Sequence, residues 1–387
     1  MVIMKKAYSF FFYMLSFAAV AFLMPNFVLY YQGLGFNGMQ IGILAGMAPL
    51  ITLVGAPLWT GLADAKSRHK LIMSLTMLVT IGLISIFPLV DTLVPVLLLL
   101  GLFSIFNAPI PAFADSATMA MLGNEKEMYG RVRLGGTIGF GIAAILTGII
   151  IQSNGIQWAF WGYAAFMFLA FCVSQKFTYS KKAENGPSQW DLRWVMANRK
   201  WIFFLTMAFA GGMAVTTMNN YLFSYMQELG ANRMTMGIAL TISTLIELPV
   251  LLFSNLLLRR FKAYGLFVLG IIISAVRLLL YAAFNFTAGI LIFQLLNGLT
   301  FPIMWVAGVA WADENAPEGM KSTAQGLFGA MVLGIGSAAG GFFGGLMLDS
   351  LGGRWMYFVF GSLVLVCVVA VMLLDRAGQE QKVRNEI

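Results

Sequence analysis

The chain has 387 residues, of which 60% are hydrophobic and only 10% charged, with a formal net charge of +8. Water-soluble domains carry about a quarter charged residues, so most of this chain must take lipid as its solvent. The basic residues form no continuous arm or face but stand in short loops between apolar runs, which excludes a nucleic-acid partner and points to the sidedness of a membrane protein.

A spanning helix needs about 20 apolar residues. Apolar runs bounded by charged or turn-forming residues predict the first six helices over 7–32, 38–62, 70–90, 93–121, 131–152 and 157–178. Lys5 and Lys6 precede the first run, which is too long for a signal-peptide core, so it is expected to be retained as a membrane helix. The polar stretch 179–199, with Lys181, Lys182, Glu184, Asn185, Gly186 and Pro187, reads as a linker. Six more helices are predicted over 200–228, 235–259, 264–284, 287–312, 321–348 and 354–375. The expected fold is therefore an all-α membrane protein with twelve transmembrane helices in two pseudo-symmetric six-helix bundles. The bundles occupy 1–178 and 200–387, the linker 179–199 is cytoplasmic, and a short cytoplasmic tail ends the chain.

Placing both termini in the cytoplasm puts 21 of the 24 lysines and arginines on the cytoplasmic side; Arg233, Arg277 and Arg354 are the others. This distribution predicts a multi-pass protein of the inner or plasma membrane with both ends inside. The halves repeat. Tyr30–Gly42 reads YYQGLGFNGMQIG and Tyr225–Gly237 reads YMQELGANRMTMG, with seven of thirteen positions identical at an offset of 195. Chance would give about one match, so duplication is the explanation. Two parallel repeats are the physical basis of alternating access, with a ligand held between them near the midplane.

An ionised group within hydrocarbon is costly unless paired or wet, so each one is a functional candidate. Glu247, in TLIELPV, and Arg277, in SAVRLLLY, each fall roughly 20 Å from the cytoplasmic side at 1.5 Å per helical residue. Adjacent antiparallel helices can bring them together. Two readings follow: a structural ion pair, or a substrate- or proton-binding Glu247 whose proton affinity Arg277 controls. Asp115, in PAFADSA, and Arg133, in YGRVRLGGTIGF, form a second candidate pair in the cytoplasmic half, with a surface pair near the headgroups as the alternative. The segment from Gly61 through Asp64 and Arg68 to Lys70 is expected to be a gating loop, a reversible latch between bundle faces. His69, the only histidine, lies in this segment and is a poor candidate for a proton relay. Cys172 and Cys367 lie in apolar runs and suggest neither a disulfide nor a metal site, and no cofactor is expected. The glycine pairs have no strand before them and read as helix-packing positions.

These motifs resemble the major facilitator superfamily across essentially the whole chain. GLADAKSRHK is similar to the family's loop signature, although Ala65 and Ser67 stand where Arg and Gly are usual. YGRVRLGGTIGF, TLIELPV, SAVRLLLY and STAQGLFGA resemble the branch containing lactose permease, the nucleoside–proton symporters and the phenylpropionate permeases. The resemblance implies substrate or proton duties for Glu247 and Arg277. It places Asp115 and Arg133 at a sugar-binding acid–base pair, and Arg133 and Thr137 at nucleoside-binding positions. Gln294, Asn297 and Thr300 replace the Lys, His and Glu of lactose permease, and Thr216 and Thr244 replace amides of the nucleoside symporters.

The function expected is secondary active transport, by alternating access, in a monomer within the lipid bilayer. It would be proton-coupled uptake symport of a small polar organic solute such as a nucleoside, sugar or aromatic acid. Proton-driven efflux of amphipathic drugs or lipids is the alternative within transport, and a non-transporting membrane sensor the alternative outside it. An enzyme is not expected, because no His, Cys or Ser cluster offers a nucleophile, a general base and a metal together.

Overall fold

The computed structural model describes residues 2–123, 125, 128–179, 198–316 and 320–385. All regular elements among them are helical. Ten helices are long and apolar enough to cross a membrane. In chain order, α1 spans Lys6–Gly33, α2 Gly38–Lys66, α3 His69–Leu89, α4 Leu93–Leu122 and α5 Tyr129–Asn154. The shorter apolar helix Trp158–Ser174 is α6. The second series continues with α7 at Arg199–Glu228, α8 at Arg233–Leu252, α9 at Ala263–Ala283 and α10 at Thr287–Glu314. The last apolar stretch, Thr323–Asp375, runs 53 residues but breaks at Gly352, whose φ of 78° only glycine adopts without strain. Its two arms are α11 (323–351) and α12 (353–375), so the described residues supply twelve crossings. Most of the expected linker, 180–197, lies outside the described residues.

Where the expected bounds differ, proline and glycine chemistry explains it. The eighth helix was expected to reach residue 259 but stops at Leu252, three residues after Pro249 withdraws a backbone donor, and a short helix Ser254–Arg260 follows. Three crossings carry irregular turns in their middles. α1 has a 3₁₀ turn at Met24–Asn26 around Pro25, α10 a 3₁₀ stretch at Gln294–Leu299, and α11 a π-helical stretch at Ala330–Gly336. Such departures cluster at functional sites because they re-aim side chains within an otherwise regular helix.

The outer surface is apolar, as lipid requires: Leu89, Val94 and Val366 are 77%, 66% and 64% exposed. Within the first bundle α1 packs on α5 and α6, α2 on α4, and α3 on α6. In the second, α9 packs on α10 and α12, while α7 lies against the α11–α12 arm.

Contacts between the bundles cluster at the end that carries the α1–α2 and α7–α8 connections. There α2 meets α11 and α5 meets α8. Small residues permit this approach: a Cβ on Gly341 would stand 2.6 Å from the carbonyl oxygen of Ala45, and one on Gly148 would stand 2.6 Å from that of Arg233. Polar contacts follow the same seam. Thr241 Oγ1 donates to the Gly141 carbonyl at 2.9 Å, and Ser224 Oγ donates to Gln32 Oε1 at 2.9 Å.

Two of the four seam helices, α2 and α8, also have their N-termini met by the opposite bundle. The backbone N–H of Gly38, at the start of α2, donates to Asp349 Oδ2 on α11 at 3.0 Å. The backbone N–H of Met234, at the start of α8, donates to Gln152 Oε1 on α5 at 3.3 Å. Gly38 and Met234 lie at nearly equivalent places in the sequence repeat, so one architectural device appears twice, once with a carboxylate and once with an amide. Toward the other end, no helix pair in comparable contact joins the bundles among the described residues.

Candidate functional site

Between the bundles lies a cavity of about 350 Å³. From the first bundle it is lined by Phe17 and Val20 on α1 and by Thr137 and Phe140 on α5. From the second it is lined by Asn219 and Asn220 on α7, Thr244 and Glu247 on α8, and Asn297 and Thr300 on α10. Glu247 thus reaches the space between the bundles.

Glu247 and Arg277 come close but do not form a direct ion pair. Asn297 stands between them. Its Nδ2 donates to Glu247 Oε1 at 2.6 Å, and its Oδ1 accepts from Arg277 Nη1 at 2.5 Å. The expected pair is therefore corrected to a three-membered relay. Its cause is local. The 3₁₀ stretch of α10 turns Gln294 and Asn297 together toward α9, and Gly298 lets α10 press on α8: a Cβ there would lie 2.5 Å from the Ile246 carbonyl oxygen.

Arg277 is only 3% exposed and does not line the cavity. Its fork is instead held by neutral oxygens. Nε donates to the Tyr281 hydroxyl at 2.9 Å, Nη1 reaches Thr300 Oγ1 at 3.5 Å in addition to Asn297, and Nη2 donates to Gln294 Oε1. Its guanidinium also lies 5.4 Å from the Tyr281 ring centroid. The three residues that depart from the lactose-permease pattern, Gln294, Asn297 and Thr300, bind the arginine together with Tyr281.

Asp115 and Arg133 are likewise not a direct pair. The Asp115 carboxylate accepts from the Tyr13 hydroxyl at 2.6 Å and the Tyr129 hydroxyl at 2.9 Å through the same oxygen. Arg133 lies over the rings of Tyr13, at 5.2 Å, and Phe17, at 4.8 Å. Aromatic side chains of α1 fill the space in which the two charges were expected to meet, and Tyr13 touches both. Phe17 also lines the cavity, so Arg133 sits behind its wall, whereas Thr137, one turn further along α5, is part of it.

The expected gating loop is mostly helix. Gly61 and Asp64 belong to the last turns of α2, and the connection narrows to Ser67, in the left-handed region at φ 51°, and Arg68. Asp64 pairs with His69 Nε2 at 2.8 Å, inside its own bundle, and Arg68 is exposed. Among the described residues no hydrogen bond or ion pair joins this segment to the second bundle; the Gly38–Asp349 contact lies at the opposite end of α2.

Sequence reading passed over Asn219 and Asn220, which line the cavity and whose side-chain amides make no hydrogen bond among the described residues. Two adjacent amides inside a membrane helix were a visible signal. It also passed over Asp349 and Gln152, whose role depends on the meeting of segments about 300 and 80 residues apart.

A family model described as "MFS_1 like family" matches residues 7–359. The maltose permease of Geobacillus stearothermophilus is 26% identical over 96% of this chain and 95% of its own length. The probable 3-phenylpropionic acid transporter of Escherichia coli K12 is 22% identical over 93% of this chain and 95% of its own length. Among solved structures, the nucleoside transporter NupG superposes with a TM-score of 0.83 at 17% identity, covering 96% of this chain and 99% of that one. The chain belongs to the MFS_1 like family and is a multi-pass membrane protein with the major facilitator fold.

Proposed function

We propose that this member of the MFS_1 like family is a proton-coupled symporter that takes up a small hydroxylated organic solute by alternating access. The observation that carries the reading is Glu247: an acid on the wall of the inter-bundle cavity, hydrogen-bonded through Asn297 to a buried arginine. Names among the relatives support the substrate class, since they include a maltose permease and a nucleoside transporter.

With the basic loops in the cytoplasm, the closed α2–α11 and α5–α8 seams lie on the outer side, and the conformation faces inward. In the proposed cycle Glu247 takes a proton from outside and the solute's hydroxyls bind among Glu247, Thr137, Asn219 and Asn220. The seams then close, and the cavity opens inward. Proton release from Glu247 into the inward-facing cavity follows solute release. Asp64 and Arg68 would close the inner side in the opposite state, with Gly61 allowing the approach.

The test is uptake into proteoliposomes, with and without an inward proton gradient, across sugars, nucleosides and aromatic acids. Gradient-dependent accumulation of one class supports the reading. Transport that runs only outward, measured in inside-out vesicles, would replace symport with efflux.

A further inference from the structure

A separate cavity, of about 260 Å³, lies in the second bundle at the end opposite the seams. Its walls are Lys200 and Phe203 at the start of α7, Tyr264 at the start of α9, Trp311 and Asn315 at the end of α10, and Asp375 at the end of α12. None of these residues lines the cavity that holds Glu247, so the site stands apart from the proposed solute route. All belong to one bundle, so it does not form and break as the two bundles rock.

The lining carries both signs of charge. Asp375 supplies a carboxylate and Lys200 an ammonium. Asn315 Nδ2 donates to the Trp311 carbonyl at 2.9 Å, which orients the amide and leaves its Oδ1 as an acceptor. The Trp311 ring is fixed by Phe204 at 4.1 Å and Trp201 at 5.0 Å, and the ring of Tyr264 lies 6.0 Å from it. With Phe203, three aromatic rings from three helices meet at the cavity. Aromatic faces attract cations, and one is already placed in this way close by: the Arg199 guanidinium lies 4.9 Å from the Phe203 centroid while its Nη2 donates to the Leu374 carbonyl at 2.7 Å.

A carboxylate, an amide oxygen and a phenol oxygen beside aromatic rings match a primary ammonium, whose three N–H groups take three acceptors. Lys200, with Arg199 next to it in the chain, suits an anionic group on the same molecule. The surroundings say what else that molecule carries. Ile202, Leu373 and Leu374, neighbours of the lining residues in sequence, are exposed apolar side chains and face lipid. The ends of spanning helices lie at the depth of the lipid headgroups.

We propose that this cavity binds the phosphoethanolamine headgroup of a membrane lipid. Its ammonium lies toward Asp375 and the rings, its phosphate toward Lys200 and Arg199, and its chains run along the apolar surface outside. The assignment is independent of the role given to Glu247.

Two measurements on the full chain test it. In phosphatidylcholine nanodiscs, adding phosphatidylethanolamine should raise the midpoint of thermal unfolding, whereas phosphatidylglycerol, which has the phosphate without the amine, should not. Native mass spectrometry of protein released from an equal mixture of the ethanolamine and choline lipids should show about tenfold preferred retention of the first, the effect of hydrogen bonds that a trimethylated amine cannot make. Asp375→Asn should bring that preference near parity, and Lys200→Gln should lower retention of the ethanolamine lipid several-fold. Equal retention of the two lipids by the parent protein, or a preference that both variants leave unchanged, would overturn the site. Soluble phosphoethanolamine separates the headgroup from its chains. If it stabilises the protein in phosphatidylcholine nanodiscs while phosphatidylethanolamine does not, the ligand is a free solute and the lipid assignment falls.

Discussion

Asn297 donates its side-chain amide to Glu247 across the α10–α8 contact at 2.6 Å. Because the same side chain accepts from Arg277, it orients the carboxylate and couples it to the arginine's charge while keeping the two ions apart. An ion pair locked in direct contact would resist protonation; a relay through a neutral amide tempers that resistance.

Replacing Asn297 therefore has a consequence that its size alone would not suggest. Asn297→Leu removes an acceptor from Arg277 and a donor from Glu247 together, and leaves buried polar groups unsatisfied. A destabilisation of about 1–3 kcal/mol is expected, read as an earlier midpoint in thermal unfolding, along with loss of gradient-driven uptake. Asn297→Asp, which places a carboxylate between the two, should favour a direct ion pair with Arg277 and slow uptake while sparing the fold.

Arg277 is held in several directions, by Tyr281, Asn297 and Gln294. A lysine carries the charge but cannot span these acceptors from one planar head. Arg277→Lys should cost about 3 kcal/mol of stability, as expected for lost hydrogen bonds to a charged group, and transport should fall with it. Unfolding curves of detergent-solubilised protein would check the first, and initial uptake rates the second.

The helical skeleton was legible in the sequence because long apolar runs leave little choice of boundary. The bundle repeat was legible too, since the segments at Tyr30 and Tyr225 preserve their turn residues. Legibility failed where local geometry or long-range packing decides. Nothing in the spacing of Asp115 and Arg133 says that Tyr13, on another helix, lies against both. Nothing in QLLNGLTFP says that its backbone tightens to 3₁₀ and points Asn297 at both charges. Gly61 and Asp64 were read as loop because the helix ends in polar residues, yet the backbone stays helical to Lys66 and turns only at Ser67.

The α2–α11 seam depends on glycine. A Cβ on Gly42 would run into the carbonyl oxygen of Phe342, which is backbone and cannot step aside. Gly42→Leu should hold the seam apart. Spin labels at Met39→Cys and Leu351→Cys, both exposed positions, should then report a longer distance than in the parent protein. An unchanged distance distribution would refute the role given to the seam.

Asp349 adds an electrostatic contribution to the same closure, since a carboxylate at a helix N-terminus contributes roughly 0.3–1 kcal/mol. Asp349→Ala should shift the labelled population toward the open seam by about two- to fivefold. Asp349→Asn, which keeps an oxygen acceptor for the Gly38 N–H, should shift it less.

The central claim, that Glu247 carries the coupled proton, is tested most directly by Glu247→Gln in proteoliposomes loaded with a transported solute. Glutamine preserves shape and a hydrogen-bond acceptor but has no proton to exchange. Accumulation driven by an inward proton gradient should vanish, while exchange of labelled for unlabelled solute across the membrane continues. Gradient-driven accumulation at the parent level in this variant would contradict the claim.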